Sequence, residues 1–253
     1  SEAGQKEFDK RWKQMVERGD FYRETYPKMK ITFGNSPSAL SAQFMRHGLP
    51  RKYVDCFAME GVGGWFPTEQ QPRRGNMQEV WWLTEMERLY GYQDVPVSSG
   101  YEYIGRCSQP GGLTEREIGE LHVRDALHCL AYGYPSINIG LLDDCADSYW
   151  TTIYGASGFI HRNPILTPKP GYVEYATLTR MVDSAKYARS LDTGSRSLYV
   201  LEFTRGGQRV YPLWTTRGRR EVALKLKGPA ESVLTDGMGN SRKLSGDVVN
   251  VTA

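Results

Sequence analysis

Residues 113–144 read LTEREIGELHVRDALHCLAYGYPSINIGLLDD, and the fold is decided in this stretch. Thr114 with Glu117 three residues later forms a capping box, in which each side chain accepts the other residue's backbone N–H at a helix start. Ile118, Leu121, Val123, Leu127 and Leu130 then recur at helical spacing, and Gly133 sits where the helix should stop. The spacing places His122 and His128 on the solvated side of this helix. The run 137–142 (INIGLL) reads as a buried strand that ends in Asp143 and Asp144. An amphipathic helix leading straight into a short apolar strand is half of a βαβ repeat, the unit of a parallel sheet covered by helices.

Upstream the same alternation continues. Phe8, Trp12, Met15 and Val16 have helical spacing over 7–20, followed by the apolar run 29–33. Ser38 opens a helix through Phe44 and Met45 that Gly48 and Pro50 close, and 53–59 (YVDCFAM) reads as a buried strand. Asn76 and Glu79 make a second capping box for a helix through Tyr90, stopped by Gly91, which makes Trp81 and Trp82 packing residues. Residues 95–104 (VPVSSGYEYI) supply the next strand. Four strands separated by helical crossovers predict a parallel α/β sheet over residues 1–192, closed by a last helix over 171–189. From 197 the pattern changes to short β-rich runs at 198–204, 210–214, 222–227 and 232–234, with turns at Arg205-Gly206-Gly207 and Asp236-Gly237. Residues 193–253 therefore read as an appended antiparallel module.

Composition excludes several classes. The 253 residues are 40% hydrophobic and 24% charged, within the range of ordinary globular chains, so disorder and coiled coil are poor descriptions. No run approaches the roughly 20 apolar residues of a membrane-spanning helix, and no membrane partner is expected. A net charge of +3, evenly spread, argues against a nucleic-acid surface. Cys56, Cys107, Cys129 and Cys145 show no metal-ligand spacing and read as small core residues, so neither a metal nor a cofactor is expected. Gly61-Val62-Gly63-Gly64 lacks the spacing and the following helix of a phosphate loop. The aromatic share of 12% is the more informative feature, since flat rings with polar edges suit sugar surfaces as well as cores.

In parallel α/β folds function gathers where the strands end. The strand 53–59 is followed by Glu60, the glycines and Trp65; the strand 95–104 carries Glu102 between Tyr101 and Tyr103; the strand 137–142 leads to Asp143, Asp144, Tyr149 and Trp150. Three successive strand ends thus combine carboxylates with aromatics. Carboxylates supply proton transfer, a nucleophile or hydrogen bonds to hydroxyls, and aromatic faces pack on a pyranose, which together meet the demands of glycoside chemistry.

Residues 113–144, then Tyr154-Gly155, then Thr167-Pro168-Lys169-Pro170-Gly171-Tyr172, resemble the last two βα units of retaining glycoside hydrolases built on a (β/α)8 barrel. Residues 197–251, with Val210-Tyr211-Pro212-Leu213-Trp214 and 234–240 (LTDGMGN), are similar to the β-sandwich that often follows such barrels. The resemblance implies a partial TIM barrel, about strands five to eight, followed by a small antiparallel sandwich. It implies Glu102 as the nucleophile at the end of the seventh strand and a carbohydrate substrate, met by Asp143, Asp144 and Trp150 after the eighth. Glu60 stands where much of the clan has a histidine and an aromatic. The clan's acid/base is a glutamate usually preceded by asparagine at the end of the fourth strand, and no Asn-Glu dipeptide occurs here. The expectation is therefore a C-terminal portion of a hydrolase that lacks the first half of its barrel and is inactive alone. Two alternatives stand beside it: a non-catalytic carbohydrate-binding barrel protein, and an open doubly wound domain.

Overall fold

The computed structural model describes residues 1–34, 38–60, 69, 76–101, 112–140, 142–144, 158–162, 165–225, 231–246 and 248–253, and the backbone alone at 38–39, 59–60, 76–81 and 99–101. It is a mixed α/β protein whose contacts divide into two units. The first comprises 1–64, 70–102 and 133–140, the second 65–69, 103–132 and 141–253. No helix among the described residues is long and apolar enough to cross a membrane.

The first unit opens with helix α1 (Glu2–Thr25), capped by the Ser1 side chain. A parallel sheet follows, with strands β1 (Thr32–Gly34), β2 (Cys56–Glu60) and β3 (Val97–Tyr101) side by side in chain order. Helix α2 (Ser38–Arg46) connects the first pair and α3 (Asn76–Tyr90) the second, as the sequence predicts for both. The central strand shows why an apolar run was placed there: Phe57 is 0% and Ala58 2% exposed, burial on both faces of the kind a helix-covered parallel strand requires. Phe33, Phe44, Phe57 and Tyr92 form an edge-to-face series across this core with centroids 5.2 to 6.0 Å apart. Tyr92 donates its hydroxyl to the Leu49 carbonyl at 2.6 Å, which satisfies the one polar atom of that ring. The expected strand over 53–59 begins late. Residues Arg51–Tyr53 form a 3-10 turn after Pro50, and Tyr53 is held by its hydroxyl on Asp20 of α1.

The fourth strand expected over 137–142 is not formed among the described residues. The chain there is held to β3 by Ser98, whose hydroxyl donates to the Ser136 carbonyl at 3.2 Å. Asp143 itself makes an isolated parallel bridge with Ile160.

The second unit is organised by α4 (Glu115–Ala131), where the capping box forms as read: Glu117 N–H donates to Thr114 Oγ1 at 3.2 Å and Thr114 N–H to Glu117 Oε2 at 2.7 Å. Two placements on this helix are overturned, since the His128 side chain is only 16% exposed and lies beside Glu69, and His122 is buried outright. His122 is 1% exposed rather than solvated, packed edge-on against Phe159 at 4.9 Å, and burial lowers its pKa to about 3. It belongs to the buried stripe with Ile118, Leu121 and Asp125, so the apolar spacing understated the width of the inward face. Helix α5 (Pro170–Val182) starts with proline in its first turn and packs on α4. Between them lie strands β4 (Ile160–His161) and β5 (Thr167–Pro168).

The last helix also ends earlier than the sequence suggests. Asp183 N–H closes on the Thr179 carbonyl, Ser184 adopts φ 58°, and Lys186–Ser190 becomes strand β6. Its pairing with β7 (Leu198–Arg205) explains the change. That strand buries Val200, Leu201 and Phe203, and Tyr187 of β6 packs on Phe203 at 5.7 Å. The remainder is antiparallel, as predicted: β8 (Gln208–Val210) and β9 (Leu213–Thr215) both pair with β7, β10 (Glu221–Lys225) with β13 (Val248–Thr252), and β11 (Glu231–Thr235) with β12 (Ser241–Ser245). Gly206 and Gly207, at φ 54° and 81°, make the tight turn between β7 and β8 that demands two left-handed residues.

Candidate active site at the strand ends

In the first unit the parallel strands carry the candidates at their C-terminal ends. Glu60 is the last residue of β2 and is the register partner of Tyr101, the last residue of β3. The register slips by one between Met59 and Glu60: Met59 pairs with Ser99 and Glu60 with Tyr101, so Gly100 is the extra residue on β3. A bulge of this kind bends a strand where it stops pairing, and such bulges concentrate next to active sites. Glu102 follows directly on Tyr101. Glu102, Trp65, Tyr103, Tyr149 and Trp150 lie outside the described residues, as does the capping-box side chain of Asn76.

In the second unit Asp143 and Asp144 are adjacent in sequence but differ in surroundings. Asp144 is drawn inward. Its carboxylate accepts from Lys169 Nζ and from Gly158 N–H at 3.2 Å. Lys169, 2% exposed just before α5, also meets Glu115 at 3.4 Å, and His161 lies 3.5 Å from Glu115 and 3.8 Å from Asp144. A buried ammonium is tolerated because the Asp144 and Glu115 carboxylates share it. Asp143 keeps half its side chain in solvent, with Arg162 at 3.8 Å as its ionic neighbour. Of the two, Asp143 is the one with a carboxylate still open to an incoming hydroxyl.

Sequence reading missed a second polar cluster. Glu69, whose side chain is fully buried, receives two parallel hydrogen bonds from Arg124 of α4 at 2.9 and 2.6 Å and a third from the Trp214 indole of β9 at 2.7 Å. Burial alone would raise its pKa, but the bonds from His128 and Arg124 outweigh it and hold the carboxyl at about 2. Trp214 in turn stacks on Tyr199 of β7 at 5.3 Å, with the rings 7° from parallel, and His128 stands edge-on to both. Glu69 and Trp214 are 145 residues apart, so no local motif could have announced the pair. Two other buried carboxyls lean the opposite way: burial raises Glu87 of α3 to about 8, and burial with nearby Glu120 raises Glu174 of α5 to about 7.

No family model and no curated protein sequence matches the chain. Solved structures do. A family 39 glycoside hydrolase from the gut symbiont Bacteroides cellulosilyticus WH2 superposes with a TM-score of 0.69 at 17% identity, over 90% of this chain and 50% of that one. A glucosidase from Croceicoccus marinus aligns with a TM-score of 0.48 at 8% identity, over 91% of this chain and 59% of that one. At 17% identity the first likeness establishes a shared fold, and the chain spans half the length of that hydrolase.

Proposed function

We propose that this chain is the C-terminal portion of a retaining glycoside hydrolase, the second half of a (β/α)8 barrel followed by a small antiparallel β-sandwich. The observation that carries the reading is the run of parallel strands in chain order, each return made by a helix, with Glu60 and Tyr101 paired at the ends and Glu102 next in sequence. Strands in chain order are what an arc of a barrel requires; a doubly wound sheet of order 3-2-1-4-5-6 also begins with three such strands, so the choice between the two leans on the superposition. The superposition on half of a glycoside hydrolase supports the same assignment.

In the whole enzyme a Glu102 carboxylate oxygen would attack the anomeric carbon as the glycosidic C–O bond breaks, leaving a glycosyl ester. A second carboxylic acid, roughly 5 to 5.5 Å away, would protonate the departing oxygen and then take a proton from the water that cleaves the ester. That acid lies upstream of Ser1. Asp143 and the aromatics Trp65, Tyr101, Tyr103, Tyr149 and Trp150 contact the sugar; Asp144 holds Lys169 and through it the start of α5.

Assay of residues 1–253 with aryl glycosides tests the division of labour. The expected result is negligible turnover, because one carboxylate cannot be nucleophile and acid at once. Ordinary enzymatic rates abolished by Glu102→Gln would move the acid into this chain, to Glu60 or Asp143. Replacing Glu102 in the longer enzyme should remove activity, with azide restoring cleavage of activated substrates to the Glu102→Ala variant. Saccharide binding without any hydrolysis by the longer chain would favour the non-catalytic reading, for which Glu60 in the usual place of a histidine is the supporting feature.

A further inference from the structure

At the C-terminal end of α4, one helix length from the capping box, a cavity of about 540 Å³ opens between the last turn of the helix and strands β6 and β7. Its volume falls within the usual range of small-molecule sites, and all of its lining residues are described. Three tyrosines line it. Tyr132 is 58% exposed at the mouth, Tyr187 pairs its hydroxyl with Ser190 at 2.8 Å, and Tyr199 is fixed by stacking on Trp214. Behind Tyr199, the Glu69, Arg124 and Trp214 bonds lock the wall.

The rim is equally ordered. Thr193 donates its hydroxyl to the Leu198 carbonyl at 2.8 Å, Asp192 accepts from Gly194 N–H at 2.9 Å, and Arg220 donates to Ser195 at 3.0 Å. A site already held in shape loses little freedom when a ligand enters. Chemistry then narrows the ligand. No lysine or arginine is among the lining residues, Arg220 standing behind Ser195; of the lining side chains His128 lies 3.5 Å from the Glu69 carboxylate and Asp192 contributes a carboxylate, so phosphates and carboxylates are disfavoured. Flat rings beside hydroxyl groups and one carboxylate suit a neutral molecule with an apolar face and hydroxyl donors at its edge.

We propose that this cavity is a pyranoside-binding site, built on the α4 end and the β6 and β7 strands and independent of Glu102. It would hold a short neutral saccharide against Tyr132, with Asp192 receiving a sugar hydroxyl. The test is an amide-resolved NMR titration of the full chain with methyl β-D-xylopyranoside and methyl β-D-glucopyranoside. Saturable shifts at Tyr132, Asp192 and Ser195 are expected for at least one probe. They should weaken about tenfold in Tyr132→Ala, a surface change that leaves the fold intact, and in Asp192→Asn, and persist in Glu102→Gln. Absence of shifts at these residues for both probes up to about 50 mM would overturn the proposal. Equal shifts from inorganic phosphate, or shifts that survive Tyr132→Ala but vanish in Glu102→Gln, would overturn it as well. Failure here leaves the glycosidase reading standing, since that reading rests on Glu102.

Discussion

Glu87 and Glu174 retain protons at pH values where an exposed glutamate has lost them, and this gives the protein a readable pH dependence. Their pKa values, about 8 and about 7, lie above the unfolded value of 4.5, so between these limits the native state binds more protons than the unfolded one. Stability from these groups is complete below the unfolded pKa and is lost as pH rises through the folded pKa. Urea midpoints should therefore fall between about pH 5 and about pH 8, with the fall reduced in Glu87→Gln and in Glu174→Gln. A wild-type midpoint that rises over that interval would contradict the assignment. Glu69 has the opposite sign. Held at about 2, it stabilises above the unfolded pKa, and that contribution disappears as pH drops through 2. Glu69→Gln should accordingly cost most near neutrality and little in strong acid. In the core, Phe57→Ala should cost about 3–5 kcal/mol by chemical denaturation, since the ring is fully buried between two neighbouring aromatics.

At the level of elements, the contact of α4 with α5 depends on two glycines. A Cβ on Gly119 would stand 2.4 Å from the Gly171 Cα and 2.4 Å from a Glu174 carboxylate oxygen. Gly119→Ala should therefore destabilise by about 1–3 kcal/mol, although alanine is intrinsically the better helix former. An unchanged or higher denaturation midpoint would show that the helices separate freely. Removal of the α4 cap by Thr114→Ala should cost about 1 kcal/mol. The same helices show what sequence makes visible. Residues 76–90 were legible by their glycine stop and the α4 start by its cap, because both signals act within a few residues of the helix they define. Lys186–Ser190 was read as helix because its fate is set by β7, more than a turn away in sequence, whose inner edge it completes. His122 was misplaced for a related reason: Phe159, which packs against it, is distant in sequence.

For the whole molecule, the parallel pairing of strands joined by helices was readable from alternating patterns, and so was Glu60 as a strand end, whereas Tyr101, the last residue of β3, was read as lying inside a strand over 95–104. The Glu69 cluster and the Lys169 network were not, because each joins segments that sequence leaves far apart. Fold and chemistry also stand on different ground. The likeness to a family 39 glycoside hydrolase, over 90% of this chain, shows the fold, while the proposed reaction rests on Glu102. A leaving group that needs no protonation tests that residue without calling on a separate acid. The decisive measurement is intact and peptide mass spectrometry of the chain after incubation with fluorinated dinitrophenyl glycosides of glucose and xylose. In these compounds dinitrophenolate departs unaided and the fluorine slows hydrolysis of the ester. One glycosyl adduct is expected, on Glu102 and absent from Glu102→Gln. An adduct on Glu60, Asp143 or any other carboxylate, or none with either sugar, would contradict it.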